Sequence, residues 1–486
     1  MSPVTRQGLV LLAAALALGV VADALGRLVP GRLDVVLGLG ALVLAIVALV
    51  QTGAVTLPGS LDALGGPLAL LGLALLWRDS PTLFALNLAG VVSVAVLASP
   101  RLRSVGRRRA GLGDYAIGAG ELAGAAAAGA PALVFTDIDW ATVPVDARAR
   151  RARGTAIGMV AAVPVAAVFG GLLMQADPAF DRLVSRALDI ELVPLVSHLA
   201  TVVLWAWLTA GALRLVCRPD VSRSALPARR GTLGLGEVGT VLVVVDLLFA
   251  AFVLVQFRYL FGGNELVREL TGMSYAEYAR RGFFELVAVA ALSLPLLLAA
   301  DHWLDHRNPA SVRRVRQLSG VMLLLLDVML ASALLRMWLY TTQFGLTELR
   351  FYTTAFMGWL VIVFGWFVAT VLRGRRERFG TGALAAGWLV LAALNLVNPD
   401  GVIAEVNLGR AARGRPLDVA YAATLSADAL PAFHRGLPRL GTNEACAAAV
   451  RLEGRWREEL AAAERWTIAL ARAPRGPIGC GIEGRM

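Results

Sequence analysis

The feature that most constrains this chain is a succession of apolar runs near twenty residues long, separated by short polar stretches rich in arginine. About 20 mostly apolar residues in a helix cross the hydrocarbon of a bilayer, where only a segment that satisfies its own backbone is stable. Residues 8–26, 34–51, 62–77, 81–98, 155–174, 192–213, 238–259, 283–304, 318–339, 351–372 and 381–397 fit that description, which makes about eleven spans. The expected fold is all-α: a polytopic integral membrane protein with a helical, extracytoplasmic C-terminal tail. Composition agrees, with 57% hydrophobic residues against about 45–50% in soluble domains. The run 62–77 is short and contains Gly and Pro. The first run also resembles a signal peptide, with Arg6, an apolar core and Ala22-Asp23-Ala24 as a cleavage site; a retained helix suits so apolar a chain better.

The net charge is +11 and every basic residue is Arg. Alongside so much Ala, Gly, Leu and Val, that is the mark of coding bias, and nucleic acid is not an expected partner. The placement of the arginines is more informative. Clusters at 101–109, 148–153, 218–230, 307–316 and 373–378 alternate, in the second half, with neutral, acidic or balanced loops. Positive loops stay in the cytoplasm, so the N-terminus is expected inside and the tail outside a bacterial inner membrane. Arg27 and Arg32 fall in a loop that this scheme puts outside.

Four regions follow from this reading: N-terminal helices over 1–98, basic cytoplasmic loops over 99–153, a main membrane domain over 154–397 and a tail over 398–486. Within the loop region, 113–135 is apolar but flanked by arginine clusters on both sides. It is expected to be a re-entrant or interfacial helix, or a helical hairpin. The tail has helical periodicity after Asn443, a good cap. It holds Cys446 and Cys480, which could pair or stay unpaired, whereas Cys217 is expected on the other side of the membrane.

Gly234-Leu-Gly-Glu-Val-Gly239 fits the G-x-G-x-x-G turn of dinucleotide sites. Such a turn follows a buried strand and opens a helix in a βαβ unit. Here a polar loop precedes it and a span follows, so the pattern is expected to serve helix packing. Gly118–Ala123 is a second near-match of the same kind. No Walker, zincin, C-x-x-C or nucleophile-elbow motif occurs, and the four histidines (His198, His302, His306, His434) lack the spacing of a zinc site. No cofactor and no metal are expected, and enzymatic activity is not favoured.

Ionisable residues inside a span cost roughly 2.5–3.5 kcal/mol each on insertion scales and so mark candidate sites. Asp246 and Asp327 lie at similar depth in the inner leaflet and form a candidate proton or cation site. Alternatively each acid is satisfied separately by nearby backbone or hydroxyl groups. A second set gathers at the outer leaflet: Arg258, Tyr259, Tyr275, Tyr278, Arg281, Glu285, Arg336 and, near the last span, Asp400. Ser274 to Glu277 fits a capping box, and the helix it starts would put Tyr275, Tyr278 and Glu285 on one face. This set is either a pocket for an anionic or amphiphilic ligand such as a lipid headgroup, or an aromatic belt with ion pairs. Pro399 and Gly401 should break or bend the chain beside Asp400.

FRYLFGG (257–263), YAEYARRGFFEL (275–286), LNLVNPDGVIAEVNL (394–408) and LDVAYAATLSADALPAF (417–433) resemble a family of bacterial polytopic proteins, domain of unknown function 4173, with its 4153 relatives. The likeness covers most of 150–435. It implies an integral membrane protein and carries no established activity. Three functions remain open: a scaffold or sensor with an exported tail that recruits protein partners, a proton-coupled carrier or flippase-like transporter, and an outer-face lipid-modifying enzyme with Glu285 or Asp400 as base.

Overall fold

A computed structural model describes residues 1–29, 31–55, 61–107, 110–143, 192–217, 233–261, 283–440, 443–461, 466–474 and 476–478. They form α1 (Pro3–Leu28), α2 (Arg32–Gln51), α3 (Asp62–Trp77), α4 (Pro81–Leu97), α5 (Pro100–Val105) and α6 (Leu112–Ala132), the last continued by a π-helical turn, Leu133–Asp137. Next come α7 (Leu192–Cys217), α8 (Leu235–Phe261), α9 (Phe283–Trp303), α10 (Pro309–Phe344), α11 (Glu348–Thr370) and α12 (Phe379–Val397). The tail supplies α13 (Pro399–Ala411), α14 (Val419–Ala422), α15 (Leu430–Leu440), α16 (Asn443–Ala461) and α17 (Ile468–Ala471).

The chain is an all-α membrane protein. Among the described residues nine helices are long and apolar enough to cross a membrane, and Ala63–Trp77 and Pro81–Leu97 are shorter apolar helices. Every expected span coincides with a helix except 155–174, which lies outside the described residues, as does the expected helix start at Ser274. The segment 113–135 is not a hairpin. It is one unbroken helix, and Gly113–Asp137 has spanning length.

The described residues divide into two compact units. One comprises 1–64, 98–101 and 118–223; the other comprises 65–97, 102–117 and 224–486. In the first, α1 packs lengthwise on α7. Its glycines make the approach possible: a Cβ on Gly19 would stand 2.5 Å from the Val202 carbonyl oxygen. A Cβ on Gly211 of α7 would stand 2.1 Å from the Ala125 carbonyl oxygen of α6. Small residues let helices close on one another where no hydrophobic force drives them together. Arg214 pairs with Asp137 at 2.7 Å, so each buried charge is matched.

In the second unit, α8, α9, α10 and α11 share a core around Leu242, Leu297, Leu326, Phe364 and Phe367. Their outward faces stay apolar, with Leu247, Leu254, Leu292 and Leu324 exposed as lipid-facing positions are. The tail has its own core, built on Ile403, Leu430, Phe433, Leu437, Leu452 and Trp456, with Leu346 and Phe351 packed against it. The bend expected beside Asp400 falls at Asn398, which takes φ 58 between α12 and α13, with Pro399 opening the new helix. Asn is one of the few side chains that tolerate this region.

Candidate functional site

The glycine fingerprint opens a helix. Glu237 fills the anion position itself: its carboxylate accepts the Gly234 N–H at 2.9 Å at the start of α8. Leu233, just before it, bridges to Leu304 rather than ending a strand.

Tyr275, Tyr278 and Arg281 lie outside the described residues, as do the side chains of Arg258 and Tyr259. Glu285 is exposed on the first turn of α9, and Arg336 is buried on α10. Asp246 on α8 is buried and neither carboxylate oxygen has a hydrogen-bond partner among the described residues, whereas Asp327 lies on an exposed face of α10. Separate satisfaction by backbone or hydroxyl groups therefore does not describe Asp246.

Asp400 belongs to a cluster that the sequence did not assemble. The link between α3 and α4 is Arg78-Asp79-Ser80, with Asp79 and Ser80 buried. Asp428 reaches it from a 3-10 turn of the tail, Ala427–Ala429. Its Oδ2 accepts the N–H groups of Asp79 at 2.6 Å and Ser80 at 3.2 Å, and its Oδ1 accepts from Arg78 at 3.3 Å. In return the Ala427 N–H donates to Asp79 Oδ2 at 3.2 Å. Arg78 also donates to the Asn395 and Leu396 carbonyl oxygens at 2.7 and 3.3 Å, capping the end of α12.

Asp400 sits at the start of α13 and is 1% exposed. One oxygen accepts the Ser426 N–H at 3.1 Å and the Ser426 hydroxyl, which lies 3.3 Å from Asp428 as well. Among the described residues no backbone N–H reaches the other oxygen. What lies against Asp400 is another acid, Glu348 of α11. Burial, then the charge of Asp428, raises the Asp400 pKa, and the bonds from Ser426 oppose the rise. Burial pushes the Tyr421 phenol up to about 12, so it stays neutral while its oxygen accepts the Glu348 N–H at 2.7 Å. Tyr352 stands 3.4 Å from the Ser80 hydroxyl. Four carboxyl groups, from Asp79, Glu348, Asp400 and Asp428, and the Arg78 guanidinium thus lie in one connected cluster. Burial among other acids favours the protonated form of Asp400. Among the described residues no group of acids, histidines and cysteines could hold a metal ion.

Two smaller clusters also escaped the sequence reading. Asp23 of α1 bonds Arg27 at 3.0 Å and His198 at 2.5 Å. Asn87 and Asn395 exchange amide hydrogen bonds at 2.9 and 3.1 Å between α4 and α12. A polar residue recurring near a span end is the signal available in sequence, and its partner, up to about 350 positions away, is not readable there.

Cys446 is oxidised in a disulfide, Cys217 is buried, and Cys480 lies outside the described residues.

A family model described as a domain of unknown function, DUF4153, matches residues 65–436. No curated protein and no solved structure matches the chain. The matched stretch holds the whole carboxyl cluster, from Arg78 to Asp428. The chain is a member of the DUF4153 family, the 4153 relative of the resemblance seen in its sequence, and a multi-pass membrane protein.

Proposed function

We propose that this protein is a scaffold or sensor of a bacterial inner membrane, with its N-terminus in the cytoplasm and its tail outside. The tail is held to the membrane helices by a joint that carries an exchangeable proton, and it recruits protein partners according to how firmly it is held. One observation carries this reading: Asp400 is buried against Glu348 and Asp428, in a joint where the other polar groups are spent on binding tail to helices. The unpartnered Asp246 favours a second reading, a proton-coupled carrier, because an intramembrane acid without a donor is costly unless it is used.

The pH dependence has a definite sign. Groups facing Asp400 are Glu348 and Tyr352 from α11 and Ser426, Asp428 and Tyr421 from the tail. Its folded pKa is raised above the unfolded value. The protonated joint is therefore the stable one: stability is full at acid pH and falls as pH rises through the raised value. Hydrogen exchange on the full chain in nanodiscs, from pH 5 to 9 and corrected for intrinsic rates, should show α13 and α15 losing protection as pH rises. Asp400→Asn should flatten that slope. A flat wild-type profile would remove the sensor reading.

A further inference from the structure

We propose that a diacyl anionic phospholipid binds at the tail-side end of α10, α11 and α12, with an acyl chain in an apolar cavity and its phosphate among Arg350, Arg410, Arg413 and Arg415. The cavity measures about 440 Å³ and is walled by Trp338, Leu346, Phe351, Ala393, Leu394 and Val397, with only Thr341 and Thr354 as polar lining. That volume is in the range of ligand sites. It opens toward the bilayer, since Trp338 is 61% and Val397 50% exposed. An apolar slot of this kind offers water nothing and an acyl chain continuous contact.

The cations stand at its rim. The segment 340–346 connects the two features: Thr341 and Leu346 line the cavity, while the backbone between them carries the arginines. Arg410 donates to the Gln343 carbonyl oxygen and Arg350 to that of Gly345, each at 2.5 Å. Arg410 lies so close over Gly345 that a Cβ there would meet its Nη1 at 2.5 Å. The Arg350 guanidinium sits 4.1 Å from the centre of the Tyr340 ring. Burial, followed by the charges of Arg415, Arg350 and Arg413, lowers the Arg410 pKa. None of the four makes an ion pair with an acid among the described residues, and the buried Nε of Arg410 has no hydrogen-bond partner. Four mutually repelling cations above an open apolar slot are complementary to a phosphate attached to a hydrocarbon chain. Tyr340 and Trp338 are the residues expected at headgroup depth.

The test is native mass spectrometry of the full chain released from nanodiscs of equal phosphatidylglycerol and phosphatidylcholine. Wild type should retain phosphatidylglycerol on the order of tenfold over phosphatidylcholine, the scale of one charge-assisted bond. Arg410→Gln, Arg350→Gln and the cavity-filling Ala393→Trp should each abolish most of that preference, and Arg373→Gln, an exposed arginine after α11, should keep it. Equal retention of both lipids by wild type overturns the proposal. So does loss of the preference to added inorganic phosphate while Ala393→Trp leaves it intact, which identifies a free-anion site. Should an arginine variant fail to fold, the wild-type headgroup preference and Ala393→Trp still decide the matter. The pH profile of tail exchange is a separate readout, so this proposal and the proton joint can fail independently.

Discussion

At the scale of single residues, Asp246 and Asp400 show how two buried acids differ in their surroundings. Asp400 has two bonds from Ser426 and a second acid, Glu348, against it. Asp246 is 7% exposed and has no donor on either oxygen among the described residues. An unsatisfied buried polar group costs about 1–3 kcal/mol, and replacing it by an apolar group of similar shape removes that cost. Asp246→Leu should therefore raise the thermal midpoint of the protein in nanodiscs, by an amount corresponding to about 1–3 kcal/mol. A fall in the midpoint would mean that the carboxyl has a partner or bound cation in the membrane, and would move the carrier reading ahead. Both acids were visible in the sequence as charges in apolar surroundings. Their difference was not, because burial and donors come from other helices.

At the scale of elements, helix positions were legible because apolar periodicity and length act locally. For the α6 segment, flanking arginines argue for a re-entrant or interfacial helix, or a helical hairpin, and a helix that runs unbroken to its π turn at Leu133 excludes the hairpin. Its contact with α7 depends on glycines. At Gly211 even a methyl group would overlap the Ala125 carbonyl, whereas a Cβ on Gly38 of α2 would meet nothing within 4 Å. Gly211→Ala should then destabilise by about 1–3 kcal/mol through overpacking. Gly38→Ala should be neutral or stabilise by up to about 1 kcal/mol through helix propensity. Thermal unfolding of the two variants side by side checks this; equal effects would show that the α6–α7 crossing is looser than described.

At the scale of the whole molecule, the second unit contains two cores, one among α8–α11 and one in the tail. Phe433 is 1% exposed at the centre of the tail core. Phe433→Ala should cost about 3–5 kcal/mol and raise hydrogen exchange across α13, α15 and α16 while amides of α8–α11 keep their protection. Exchange rising equally in both regions would mean that the tail and the membrane helices unfold as one. The sequence by itself determined that this is an all-α membrane protein, where its helices lie and that its tail is helical, because hydrophobic length, charge between spans and capping are properties of contiguous residues. It also singled out Asp400 and the turn beside it. Only the tertiary structure decided that Asp400 shares a site with Asp79, Glu348 and Asp428, and that four arginines gather above an apolar cavity. Those groups come from four separate stretches of chain, and what brings them together is helix packing and the docking of the tail, neither of which leaves a local pattern in the sequence.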